Sequence, residues 1–149
     1  MKRTIFLVLG IVFMLSACSK NKALEKEIEQ IEDAVLLGDW TISKMIDSGD
    51  DETSNFQGYI FTFKEDGSLV ATNNATTYNG TWSITKSSSS DDDSNDSDID
   101  FNITFNVSES NDFDDLIDDW DVLTHSDYKI ELQDISGGNG GTDLLTFTR

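Results

Sequence analysis

Ile99-Asp100-Phe101-Asn102-Ile103-Thr104-Phe105-Asn106-Val107 alternates apolar and polar residues without a break. A period of two belongs to a strand with one face in a core and the other in water, because successive side chains leave a strand on opposite sides. The same alternation recurs on both sides of this stretch. Trp40, Ile42 and Ile46 alternate with Thr41, Ser43 and Met45, and Tyr59, Phe61 and Phe63 alternate with Ile60, Thr62 and Lys64. Tyr78, Gly80, Trp82 and Ile84 share a face. So do Trp120, Val122 and Thr124; Tyr128, Ile130 and Leu132; and Leu145, Phe147 and Arg149.

Glu65-Asp66-Gly67 makes a hairpin turn into Ser68–Asn73, since Asp-Gly supplies the left-handed backbone such turns need. With that strand the count reaches eight. Turn signals fall every 8 to 12 residues, as expected of an all-β chain, and no long helix interrupts the strands. Two connectors are longer, Lys86–Ser97 and Glu109–Asp119; in the second, Asp112 is expected to cap a short helix through Leu116 and Ile117. Eight strands with one apolar face each fit an antiparallel up-and-down barrel closed on itself.

Composition narrows the function. Among 149 residues, 10 basic side chains face 29 acidic ones, a formal charge of −19. Nucleic-acid binding is not expected, because it needs clustered Lys and Arg against phosphates. That charge also favours a monomer through self-repulsion. One Cys and one His leave neither a disulfide framework nor a multi-histidine metal centre, and no Gly-rich phosphate loop occurs. No cofactor or metal is expected. The chain is still 37% hydrophobic and 10% aromatic, enough for a core.

The first residues read as an address. Lys2 and Arg3 precede an apolar run from Ile5 to Leu15, then Ser16-Ala17-Cys18, the pattern of a secretory signal peptide over residues 1–17. The run is too short to span a bilayer, which takes roughly 20 apolar residues. Leu15-Ser16-Ala17-Cys18 resembles the lipobox of bacterial lipoproteins. That resemblance implies cleavage before Cys18 and lipid on its sulfur and α-amine. The partner is then a membrane, reached through an N-terminal lipid in the cell envelope, with the outer membrane as the expected location. Removing residues 1–17 takes Lys2 and Arg3 and no acid, leaving eight basic against 29 acidic side chains, a charge of −21. Residues 18–36 form the anchor and a helical spacer: Leu24, Ile28, Ile31 and Val35 are spaced as one helical stripe over Ser19–Asp33, suited to plugging an end of the following domain.

Gly38-Asp39-Trp40 opens the first strand just after that helix. A Gly-x-Trp there, followed by eight alternating strands, resembles the lipocalin or calycin barrel, over residues 37–149 apart from an acidic loop at 86–98. The resemblance implies that Trp40 closes one end of the barrel and that Arg149, alternating with Leu145 and Phe147 toward the interior, packs across its indole. The chain is shorter than ligand-carrying lipocalins and lacks their disulfide.

Eleven of the 15 aromatics fall on inward stripes. Two readings stay open. One is an aromatic-lined pocket for a small hydrophobic ligand, formed by Tyr59, Tyr78, Trp82, Phe101, Phe105, Trp120 and Tyr128, with Thr124 as a further polar handle. The other is a barrel filled by its own rings, serving as an envelope interaction or accessory protein. No catalytic constellation is present: His125-Ser126-Asp127 are merely adjacent, and GxSxG is missing. An enzyme is not expected. The Asp91–Asp98 run lacks the Gly and terminal Glu of a calcium loop and reads as a solvated, disordered segment with weak cation binding at most.

Overall fold

The computed structural model describes the backbone of residues 9–87, 99–135 and 141–149, with side chains from Lys20 onward. The acidic stretch 88–98 and the side chain of Cys18 lie outside the described residues, as do residues 1–8 of the signal segment.

A helix, α1 (Leu9–Val35), leads into nine strands: β1 (Asp39–Asp47), β2 (Asp50–Asp51), β3 (Ile60–Phe63), β4 (Ser68–Thr72), β5 (Thr77–Lys86), β6 (Ile99–Phe105), β7 (Asp118–His125), β8 (Lys129–Ile135) and β9 (Thr142–Thr148). β2 is a two-residue spur on β1. The other eight pair antiparallel in chain order, and β9 returns to β1 from Thr41↔Thr148 to Ile46↔Leu144, closing the barrel. The expected eight-stranded up-and-down barrel behind a short helix is the fold observed. α1 begins earlier than the Ser19 start read from the apolar stripe. Among the described residues no helix is long and apolar enough to cross a membrane.

Local chemistry fixes the registers. Gly67 takes φ +79° in the β3–β4 turn, and the Asp66 carboxylate accepts from the Ser68 amide at 2.9 Å and its hydroxyl at 2.6 Å. β5 then locks onto that turn, as the Trp82 amide donates to Gly67 O and its indole to Lys64 O, both at 2.9 Å. Gly80 is required inside β5: a Cβ there would sit 2.0 Å from the Thr104 carbonyl of β6.

Two bulges alter the inward stripes. Pairing steps from Ile42↔Phe147 to Lys44↔Thr146, so Ser43 is an extra residue and the later side chains of β1 change face. Met45 is therefore buried and Ile46 only partly so, reversing the simple alternation. In β7 the step from Val122↔Leu132 to Thr124↔Glu131 turns Thr124 outward, where its hydroxyl donates to Glu131 Oε2 at 2.7 Å.

Both ends are stoppered. At the helix end, Ile31, Ala34 and Val35 of α1 are buried, with Leu24 and Ile28 half-buried against the core. The fully buried Trp40 donates its indole N–H to Val35 O at 2.9 Å. Arg149 does not enter the interior; it is exposed and spans the rim. Its guanidinium carbon lies 5.7 Å from the Trp40 ring centroid, Nη1 donates to Leu37 O at 3.1 Å, and Nε donates to Asp127 O. At the opposite end, two 3-10 turns, Thr53–Phe56 and Asp112–Leu116, insert Phe56, Phe113 and Leu116, all buried. The cap of the second turn is Asn111, not Asp112, because the Asn111 side chain accepts from the Phe113 amide at 3.0 Å.

The contact of the first strand with the chain's last residue sets an expectation. Arg149→Ala should cost about 1 kcal/mol, the value of an exposed cation–π contact. Trp40→Ala should cost about 3–5 kcal/mol through the volume it empties. The double variant should fall short of their sum by roughly 0.5–1 kcal/mol, as contacting residues do. Urea melts of the four proteins measure this, and strict additivity would deny the contact.

Candidate functional site

The interior is a chain of touching rings. Phe61, Phe63 and Phe147 meet edge to face at 5.4 and 5.5 Å, and Phe63 meets Trp82 at 5.6 Å and Phe101 at 5.7 Å. Such geometry places positive ring edges on negative ring faces, adding about 0.5–1.5 kcal/mol per pair beyond area burial. Of the residues expected to line a pocket, Trp82, Phe101, Phe105 and Trp120 are buried, and Tyr59 and Tyr78 are half-buried against the core. Trp120 uses its indole N–H on Leu116 O at 3.1 Å.

Tyr128 is the exception. It precedes β8 in a tight turn held by Ser126 and Lys129, stays 68% exposed, and its ring lies 5.4 Å from the Arg149 guanidinium outside the barrel. The alternation with Ile130 does not extend into that turn, so Tyr128 lines no interior. Thr124 is excluded by the bulge already described.

The residue that sequence reading missed is Phe113. Its ring stacks on Tyr78 at 4.1 Å and contacts Tyr59 at 4.9 Å, Phe105 at 5.1 Å and Phe56 at 5.4 Å. It occupies the middle of an aromatic box at the end away from α1. The only signal was apolar Phe113 and Leu116, three apart inside an otherwise acidic connector. Around the box stand three polar groups: the Tyr78 hydroxyl accepts from Asn111 Nδ2 at 3.2 Å, and loss of hydration, then the neighbouring Tyr78, push the Tyr59 phenol upward.

Carboxylates crowd the outside of this end. Burial first, then the neighbouring Asp119 and Asp134, raises Asp118 to about 6. Asp115 is raised by burial and then by Asp47 and Glu52; Asp100, toward the helix end of β6, is raised by burial and then by Asp119. Among the described residues no group of three or more His, Cys, Asp or Glu is arranged to hold a metal.

The fold and site together define an eight-stranded antiparallel barrel with a hydrophobic, aromatic core. That architecture fits a lipocalin-like fold and is consistent with a ligand-binding fold. No family model matches the chain, and no curated protein matches it. Among solved structures it is similar to the crystal structure of a DUF4847 family protein from Bacteroides vulgatus ATCC 8482, with 16% identity, a TM-score of 0.48, and coverage of 79% of this chain and 96% of that one.

Two outcomes are expected. Phe113→Ala should destabilise by about 3–5 kcal/mol, since the four rings named, with Phe61 at 5.9 Å as a fifth, cannot collapse into its space; denaturant titration reads it. The second concerns pH. Raised carboxyls bind protons more tightly folded than unfolded, so they penalise folding above about pH 6 and the penalty fades as pH falls toward 3.8. The urea midpoint should therefore be higher at pH 5 than at pH 7, and Asp118→Asn should raise the pH 7 midpoint while flattening that difference. Asp51, Asp66 and Glu131, held low chiefly by side-chain hydrogen bonds, act with opposite sign, but only at more acid pH.

Proposed function

We propose that this chain is a lipid-anchored, non-enzymatic module of the bacterial envelope, placed at the outer membrane, whose barrel is a side-chain-filled scaffold and whose outer surface meets a partner. The observation that carries the scaffold reading is the stoppering of both ends by the chain itself, α1 and Trp40 at one and Phe56, Phe113 and Leu116 at the other. A cavity for a drug-sized ligand is typically several hundred Å³. Clefts of that size lined by described residues include open ones at the surface, such as one of about 370 Å³ between α1 and the His125–Asp127 turn. Support for the anchor is Leu15–Cys18, which resembles a lipobox after a basic start and an apolar run.

A second reading has its own observation. Tyr59 and Tyr78 are half-buried with hydroxyls at the box that Phe113 fills, so a small flat hydrophobic ligand displacing Phe113 would find stacking faces and polar handles there.

Mass spectrometry of the protein extracted from its own membrane tests both. The scaffold reading expects acyl chains on Cys18 and no co-purifying small molecule; a stoichiometric apolar compound favours the ligand reading. Cys18→Ala should abolish acylation and leave the precursor uncleaved. Membrane-bound mature protein beginning at Ser19 without lipid would overturn the anchor.

A further inference from the structure

α1 is docked onto the barrel along its C-terminal half, and this leaves almost no free tether. Leu24 and Ile28 pack on the core, and Glu25 pairs with Lys86 of β5 at 3.1 Å. Cys18 belongs to the same unbroken helix, six residues before Leu24. At 1.5 Å per helical residue that separation is about 9 Å. A lipid on Cys18 therefore holds the helix-bearing end of the barrel close to the headgroups.

Most of the described basic side chains lie toward that end. Lys20, Lys22 and Lys26 occupy the first turns after Cys18, where cations meet anionic phosphates. The β3–β4 turn, the end of β5, the start of β8 and the C-terminus bring Lys64, Lys86, Lys129 and Arg149 to the same end. Acids still outnumber them there, with Glu25, Glu27, Glu29, Glu32 and Asp33 on α1 and Asp39, Glu65, Asp66, Asp100 and Asp127 at the strand ends and turns, so the end is mixed and net acidic. Leu37 at 52% and Tyr128 at 68% exposure flank Arg149, an arrangement suited to the headgroup layer, where amphipathic rings settle. At the opposite end Asp47, Asp50, Glu52, Asp112, Asp115 and Asp118 crowd the rim, with Lys44 of β1 acting on the neighbouring Asp51.

We propose that α1 is a rigid stalk that holds the barrel at the lipid surface in one orientation, with the helix end toward the headgroups and the opposite rim turned away. The inference rests on the lipid-anchor reading and goes beyond it, because a flexible lipoprotein tether would leave the barrel free to tumble.

The test uses 15N-labelled protein extracted from its own membrane and placed in phosphatidylglycerol–phosphatidylcholine nanodiscs doped with a gadolinium-chelating lipid. Strands of seven residues such as β9 separate the two ends by about 20 Å. Amides of Lys64–Gly67 and Ser126–Lys129 should therefore broaden several-fold more than those of Asn73–Thr76 and Ser48–Glu52. Equal broadening at both ends, or stronger broadening at the acidic rim, overturns the proposal. Leu24→Ser with Ile28→Ser, which loosens the helix and leaves the barrel strands untouched, should even out the two ends; retention of the difference would show that docking of α1 does not set the orientation. Intact mass of the same sample separates the two levels of failure. An unacylated Cys18 removes the anchor itself, whereas an acylated protein with uniform broadening removes only the fixed orientation.

Discussion

The structure depends on the ladder between its first and last strands. β1 and β9 exchange hydrogen bonds from Thr41↔Thr148 to Ile46↔Leu144, and this closure leaves no free edge among the eight barrel strands. An open sheet of the same sequence would expose two rows of unpaired backbone groups and the apolar face they border. Closure gathers Trp40, Phe61, Phe63, Phe101 and Phe147 into one interior instead. The pairing joins residues 98 to 107 positions apart, so the barrel forms only when nearly the whole chain is in place. Trp40 sits at this seam, with Val35 capping its indole N–H and Arg149 lying over its ring, and there the helix, the first strand and the C-terminus are tied together.

The second constraint is charge. A chain of net charge −19 can fold because its carboxylates alternate outward while the stripes between them are strongly aromatic. The compromise shows where acids on adjacent strands or turns converge. Burial, with Asp119 and Asp134 nearby, raises the Asp118 carboxyl to about 6, and burial with Asp47 and Glu52 nearby raises Asp115. Hydrophobic burial outweighs this repulsion, and the excess charge resists self-association in return.

The aromatic box explains why barrel architecture alone does not decide between a carrier and a scaffold. An eight-stranded barrel is just wide enough to be filled or to hold one small ligand. Phe113 resolves the contest locally, for it brings a ring from an outside connector into the one place where Tyr59, Tyr78 and Phe105 leave room. On the scaffold reading proposed above, the surface that meets a partner is the exterior, which runs from a helix-bearing end of mixed charge to a rim that is acidic but for Lys44.

The sequence by itself determined the strands, their inward stripes and the plugging helix, because alternation and helical spacing are local records of which side faces water. Ile99–Val107, Tyr59–Phe63 and the Asp66-Gly67 turn needed no tertiary information, and Gly38-Asp39-Trp40 with Arg149 marked the seam. The candidate site was legible only in part. Trp82, Phe101, Phe105 and Trp120 were placed inside correctly, while Thr124 and Tyr128 were not. Bulges at Ser43 and Leu123 are register choices made between partner strands, and they leave no mark on a single strand's alternation. Phe113 lies in a connector whose local sequence is acidic and suggests a solvated turn. Only the closed barrel, by leaving a ring-sized gap at its far end, made burying that phenyl worth more than the cost of bending the connector over it.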